Sequence, residues 1–213
     1  MKTIVYFLVA AFIYGIVALS FTNKAHATEN IVIQSVDKNI SLNSLTTSAK
    51  IISDRLKSFS PENFDVSVIP ERNQIEVSLA GNWDLNIVMS LVLQKGELSF
   101  YESYNQSEKQ VALLTGNDVE SITANHDKNT GENYMEVRFK KSAIDKWANA
   151  TKRNINKVIA IAVDNHVIYD PILKSEINNG ICTITGNFTE TEIRLLVSTV
   201  SHGELPAEFF LVK

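Results

Sequence analysis

The sequence predicts an α+β fold: a ferredoxin-like base module followed by a second α+β module with a mixed or antiparallel sheet. Three observations lead there. Apolar residues alternate between strand spacing and helix spacing along the chain. The first part runs strand, helix, strand, strand, helix, strand, which is the split βαβ order. Residues Val158 to Pro206 then read strand, turn, strand, strand, helix.

The expected first module covers residues 30–103. Ile31 to Val36 is a strand. Leu45, Ala49, Ile52, Leu56 and Phe59 are spaced 4, 3, 4 and 3, so Thr46 to Phe59 is an amphipathic helix that Pro61 stops. Phe64, Val66 and Val68 alternate with polar residues, as do Ile75, Val77 and Leu79, and Glu71 to Asn73 turn between them. Gly81 opens a turn. Asp84 caps a second helix whose stripe is Leu85, Val88, Met89 and Val92, with Gly96 closing it. Leu98 and Phe100 lie on one face of a fourth strand. Neither helix can bury its stripe alone, so both must cover the sheet.

The second module is expected over residues 104–207, with a terminal strand over 208–213. Tyr104 to Lys109 is polar and reads as a linker, and a hinge is expected within Tyr104 to Leu114. The Asp, Asn and Gly between His126 and Asn133 mark a turn. Met135, Val137 and Phe139 alternate. Ser142 reads as a helix cap with Asp145 three residues on, and Ile144, Trp147, Ala148 and Thr151 share a face. Val158 to Val163 is an apolar run too short for a helix, hence a strand buried on both faces. Asp164 and Asn165 tolerate positive φ and turn the chain into His166 to Ile172. Asn178 to Gly180 turn again, and Ile181 to Thr185 alternates. Thr189 with Glu192 forms a capping box for a helix striped by Ile193, Leu196, Val197 and Val200. Gly203 is placed to end it and Pro206 prevents a restart. Glu208 to Val212 reads as a last strand returning to the first module.

Residues 1–27 stand apart. Lys2 is followed by an apolar run from Ile4 to Phe21, broken only by Ser20, and Ala25 to Ala27 is an A-x-A site. This is a signal peptide or, uncleaved, an N-terminal membrane anchor, since eighteen helical residues reach about 27 Å. Either places the rest outside the cytoplasmic membrane, with membrane contact only through residues 4–21. Formal net charge is −4; residues 1–27 hold Lys2, Lys24 and no acid, which leaves −6 on the remainder. An acidic body argues against binding nucleic acid.

The order of elements from Val158 onward resembles the head of the first periplasmic domain of SecD, the membrane subunit that assists protein export. The residues that carry the resemblance are Asp164, Pro171, Gly180, then Gly186, Asn187, Phe188 and Thr189, then Gly203, Leu205 and Pro206. Asn165 and Asn179 stand where that family has Gly, and Asp170 where Ala is usual. Leu113 to Asp118 is similar to its Leu-Thr-Gly-x-Asp entry. More weakly, the helix with Arg55, the hairpin ending Leu79 to Gly81, and Gly96, Leu98 and Phe100 resemble its base. The resemblance implies a non-enzymatic periplasmic or inner-membrane-anchored protein with no cofactor. Its implied partners are unfolded exported polypeptides or Sec translocase components, captured by apolar patches or a sheet edge. The alternative is an envelope binding or scaffold protein that keeps the fold without a role in export.

Catalytic and metal signatures are missing. His26, His126, His166 and His202 form no HExxH or i, i+4 pair, and no GxSxG, Walker or GxGxxG motif occurs. Asp164, His166 and Asp170 are the best acid/base cluster, yet they read as a turn aspartate and two exposed strand residues lacking a nucleophile or oxyanion site. Asp127 to Gly131 lacks the spacing of a calcium loop. Trp83 and Trp147 read as core or interface anchors, and Cys182, the only cysteine, as a small buried residue.

Overall fold

A computed structural model describes residues 29–102, 104 and 111–212. The expected leader or anchor, and most of the expected linker, lie outside these residues. Among the described residues no helix is long and apolar enough to cross a membrane.

The elements in chain order are β1 (Glu29–Ser35), α1 (Leu42–Phe59), β2 (Asn63–Ile69), β3 (Gln74–Ala80), α2 (Leu85–Leu93), β4 (Leu98–Tyr101), β5 (Leu114–Thr115), β6 (Val119–His126), β7 (Asn133–Phe139), α3 (Lys141–Arg153), β8 (Ala160–Val163), β9 (His166–Tyr169), β10 (Ile181–Phe188), α4 (Glu190–Val200) and β11 (Phe209–Leu211). They form three antiparallel sheets, ordered β11-β1-β3-β2, β10-β7-β6 and β5-β4-β8-β9. The architecture is α+β.

The first sheet is ferredoxin-like in order, but its fourth strand comes from the far end of the chain. β11 pairs with β1 in the register Ile33 to Leu211 and Ser35 to Phe209. Leu98 and Phe100, expected in that position, instead lie on β4, which pairs with β5 and β8 in another sheet. All four residues of β4 are buried, so the strand needs cover on both faces: the second core takes Leu98 and Phe100, and a small cluster with Ala160 and Ala162 takes Tyr101. The expected hinge is likewise displaced. β4 and β5 pair with each other in one sheet, so the strands on either side of the expected hinge both belong to the same sheet. The chain crosses between the two cores at Gln94–Glu97 and again at Ser201–Leu205.

Two large cores result. Ile33, Ile52, Leu56, Ile75, Val77 and Leu91 are among the buried residues of the first. Phe100, Phe139, Trp147, Ile161, Ile184 and Leu196 are among those of the second. Phe100, Phe139 and Trp147 pack ring to ring, with centroids 5.0–5.6 Å apart. Helix α4 serves both cores: Leu195 enters the first, while Ile193, Leu196 and Val200 enter the second. A helix buried on two sides cannot show a single stripe, which is why its sequence pattern named only half of its buried residues.

Local chemistry explains most boundaries. Ser41 accepts the Ser44 amide, so α1 starts four residues before the expected Thr46. Asp84 caps α2 by accepting the amides of Asn86 and Ile87. Thr189 and Glu192 make the reciprocal capping box of α4. Ser142 does not cap α3: the helix begins a residue earlier, directly after β7, with no side-chain cap. Its Lys140 amide donates instead to the Asp118 carbonyl at 2.9 Å. The buried face of α3 is Ala143, Trp147, Ala150 and Thr151, rotated from the expected one. Asp164 and Asn165 adopt positive φ, 49° and 63°, in the β8–β9 turn.

Candidate functional site

Polar side chains and backbone groups bond across the junction between the two cores. Its centre is Arg55 on α1, with no exposed surface. Its Nη1 donates to the carbonyls of Leu91 at 3.2 Å and Gln94 at 2.6 Å, and its Nη2 to those of Lys95 at 2.8 Å and Gly203 at 3.0 Å. One guanidinium thus caps the end of α2 and binds both chain crossings. Burial pushes Arg55 down from 12.5 to about 10, and attraction to Asp164 opposes that shift; it remains a cation at neutral pH. The two crossings also bond each other directly, Leu205 N to Lys95 O at 2.8 Å.

Asp164 meets this centre from the other side. Its carboxylate accepts the amides of Gly96 at 3.1 Å and Glu97 at 2.7 Å, and its own amide donates to the Glu97 carbonyl at 3.0 Å. Gly96 has φ +78°, and a β-carbon there would lie 2.3 Å from Arg55 Nη2 and 2.7 Å from the Thr199 carbonyl. Only glycine fits. Arg55 is a junction residue that no sequence motif marks as functional. The signal was present: an arginine three residues after Ile52 falls inside an apolar stripe.

The expected acid/base cluster does not assemble around a reactive group. Asp164 is occupied by backbone amides. His166 Nδ1 lies 2.8 Å from the Asp164 carbonyl, and Asp170 is exposed beyond the end of β9. Among the described residues no three His, Cys, Asp or Glu side chains are grouped to hold a metal. The Cys182 thiol is buried and pushed up to about 12, which suppresses the thiolate.

The remaining motif residues shape the second lobe. Pro171 accepts the Ile159 amide at 3.3 Å. Gly180, at φ +69°, accepts the Phe139 amide at 2.9 Å, and a β-carbon there would strike Ile144. Gly186 and Asn187 form a bulge in β10, with Gly186 against the Phe188 ring. Phe188 is buried, and its carbonyl accepts from Asn133 Nδ2. Thr189 caps α4. Gly203 supplies a carbonyl to Arg55, Leu205 is fully buried in the first core, and Pro206 is exposed after it.

A groove of about 190 Å³ opens where the edge strand β9 of one sheet approaches the edge strand β10 of another. Tyr169 Oη and Thr185 Oγ1 stand 3.2 Å apart across the gap. The lining is mainly apolar, including Ile161, Tyr169, Pro171, Ile172, Ile177 and Trp147. Trp147 is 1% exposed, and its Nε1 has no hydrogen-bond partner among the described residues. Ile172 is 55% exposed at the rim, and Val158, its bridge partner, is 38% exposed. This arrangement offers two strand edges beside apolar walls. Strand edges beside apolar walls suit an extended apolar chain.

Comparison with known proteins places these features. The SecDF P1 head subdomain model matches residues 93–207, which covers β4 to Leu205 and so includes the groove and both crossings. The SecD protein translocase subunit of Thermobaculum terrenum is 36% identical over 93 residues, 44% of this chain and 18% of its own length. The same subunit from Leptotrichia buccalis is 28% identical over 141 residues, 66% of this chain and 35% of its own. The chain therefore spans about a fifth to a third of the curated relatives it matches. A solved structure of SecDF, described as a membrane component that enhances protein export, superposes with TM-score 0.70 at 20% identity, over 87% of this chain and 98% of that one. The fold is thus that of the SecDF periplasmic region. With more than half of its residues matched by the family model, the chain belongs to the SecDF P1 head family.

Proposed function

We propose that the chain is a non-enzymatic cell-envelope protein serving protein export, and that the groove between β9 and β10 receives an extended apolar stretch of an exported polypeptide. The observation that carries this reading is the groove itself: two strand edges and an apolar lining, within the residues matched by the head family. An incoming strand would pair with edge amides and carbonyls that no strand now uses. The kinship with translocase subunits supports Sec components as further partners. The body would face the periplasm, with residues 1–27 as leader or anchor. We assign a base lobe to residues 29–93 and 208–212, and a head lobe to 94–207.

The test is a photo-crosslinking residue at Ile172 in cells exporting a pulse-labelled protein. An adduct with the exporting chain, abolished by Tyr169→Asp in the wall, is expected. Adducts with neither the chain nor Sec components, together with unchanged export kinetics after gene deletion, would replace this reading with that of an envelope scaffold.

A further inference from the structure

The head and base lobes meet through more than packing, and the bonding at their junction has a definite form. Arg55 belongs to the base helix α1, and its four hydrogen bonds go to carbonyls on or beside both chain crossings. Asp164 belongs to the β8–β9 turn of the head, and its carboxylate takes two successive amides of the first crossing. The Lys95–Gly96–Glu97 backbone therefore lies between a buried cation on the base side and an anion on the head side. Opposite charges on two sides of one peptide segment polarise it in the same sense, which strengthens both sets of hydrogen bonds. Gly96 leaves no space for slack, because Arg55 Nη2 and the Thr199 carbonyl fill the place a side chain would take.

We propose that Arg55 and Asp164 form a latch that fixes the orientation of the head relative to the base, with Asp164 as the releasable half. The two residues differ in what their loss would do. Arg55 also ends α2, so removing it damages the base. Asp164 holds the first crossing from the head side, and removing its side chain leaves both cores intact while taking the acceptor from the Gly96 and Glu97 amides; only the backbone bond from Asp164 N to the Glu97 carbonyl stays. Helix α4 spans both cores and would bend or slide as the lobes turn, so a released head would sample a range of angles. The latch holds whatever occupies the groove.

Pulsed electron-spin distance measurements on the full chain test it. Labels are placed through Asp65→Cys on β2 and Lys146→Cys on α3, both exposed, with Cys182→Ala removing the native thiol. The parent is expected to give one narrow interlobe distance, and Asp164→Ala a distribution at least twice as broad. A parent that is already broad, or an Asp164→Ala distribution as narrow as the parent's, overturns the latch. Should Asp164→Ala fail to fold, Asp164→Asn, which keeps one acceptor oxygen, is read by the same criterion. A second label pair within the head, Thr183→Cys with Lys146→Cys, must stay unchanged in the variant; broadening there as well would mean that the head itself had loosened, and would also overturn the proposal.

Discussion

Ile33 and Leu211 face one another across an antiparallel ladder, so the first described strand and the last complete one sheet. Everything between β3 with its helix α2 and β11 is carried as an insertion into a ferredoxin-like base. The base cannot close its sheet until the head has been traversed. Such long-range pairing carries a loop-closure cost that local hairpins do not.

Phe209 tests that closure. It is buried in the first core beside β1. Phe209→Ala is expected to destabilise the chain by about 3 kcal/mol through lost burial and a residual cavity. Urea unfolding followed by circular dichroism gives the value. A loss below about 1 kcal/mol would mean that β11 contributes little to the base.

Arg55→Met keeps the aliphatic stem and removes every donor from the junction. Four carbonyls then lose a charged partner, and about 3 kcal/mol of stability is expected to go with them. Arg55→Lys is expected to recover only part, since an ammonium lacks the planar fork that reaches both crossings. Urea midpoints of the three proteins decide it, and a Met variant as stable as the parent would remove Arg55 from the account.

Cys182 gives a pH dependence with a definite sign. Burial raises its thiol from 9.0 to about 12. Between those values the unfolded chain has lost a proton that the folded chain keeps, so stability falls as pH rises, by about 1.4 kcal/mol per pH unit at most. Below pH 9 the contribution is fully present. Cys182→Ala should lose this component, so the gap between parent and variant measured by urea unfolding at pH 8 and pH 10 narrows or inverts at the higher pH. An aromatic disulfide reagent is expected to modify the native thiol only as fast as the protein opens.

Much of this fold was legible along the chain because it depends on neighbours in sequence. The Asp84 cap, the Thr189–Glu192 box and the Asp164–Asn165 turn rest on residues within four positions of each other, and the β2–β3 hairpin joins strands that are adjacent in the chain. The ordered motif from Asp164 to Pro206 led to the family on the same basis.

Residue order alone identifies the strand and helix segments, several of their starts and turns, and the family they resemble. The folded chain alone placed β4 in the head's sheet; the return of β11 to the base was expected, but not its position as the fourth strand, beside β1. Strand alternation specifies a face and carries no information about the partner across the ladder. The same reason hid the junction. Arg55, Gly96 and Asp164 come from three distant segments, and a hydrogen bond between them depends on where the chain has folded rather than on which residue comes next.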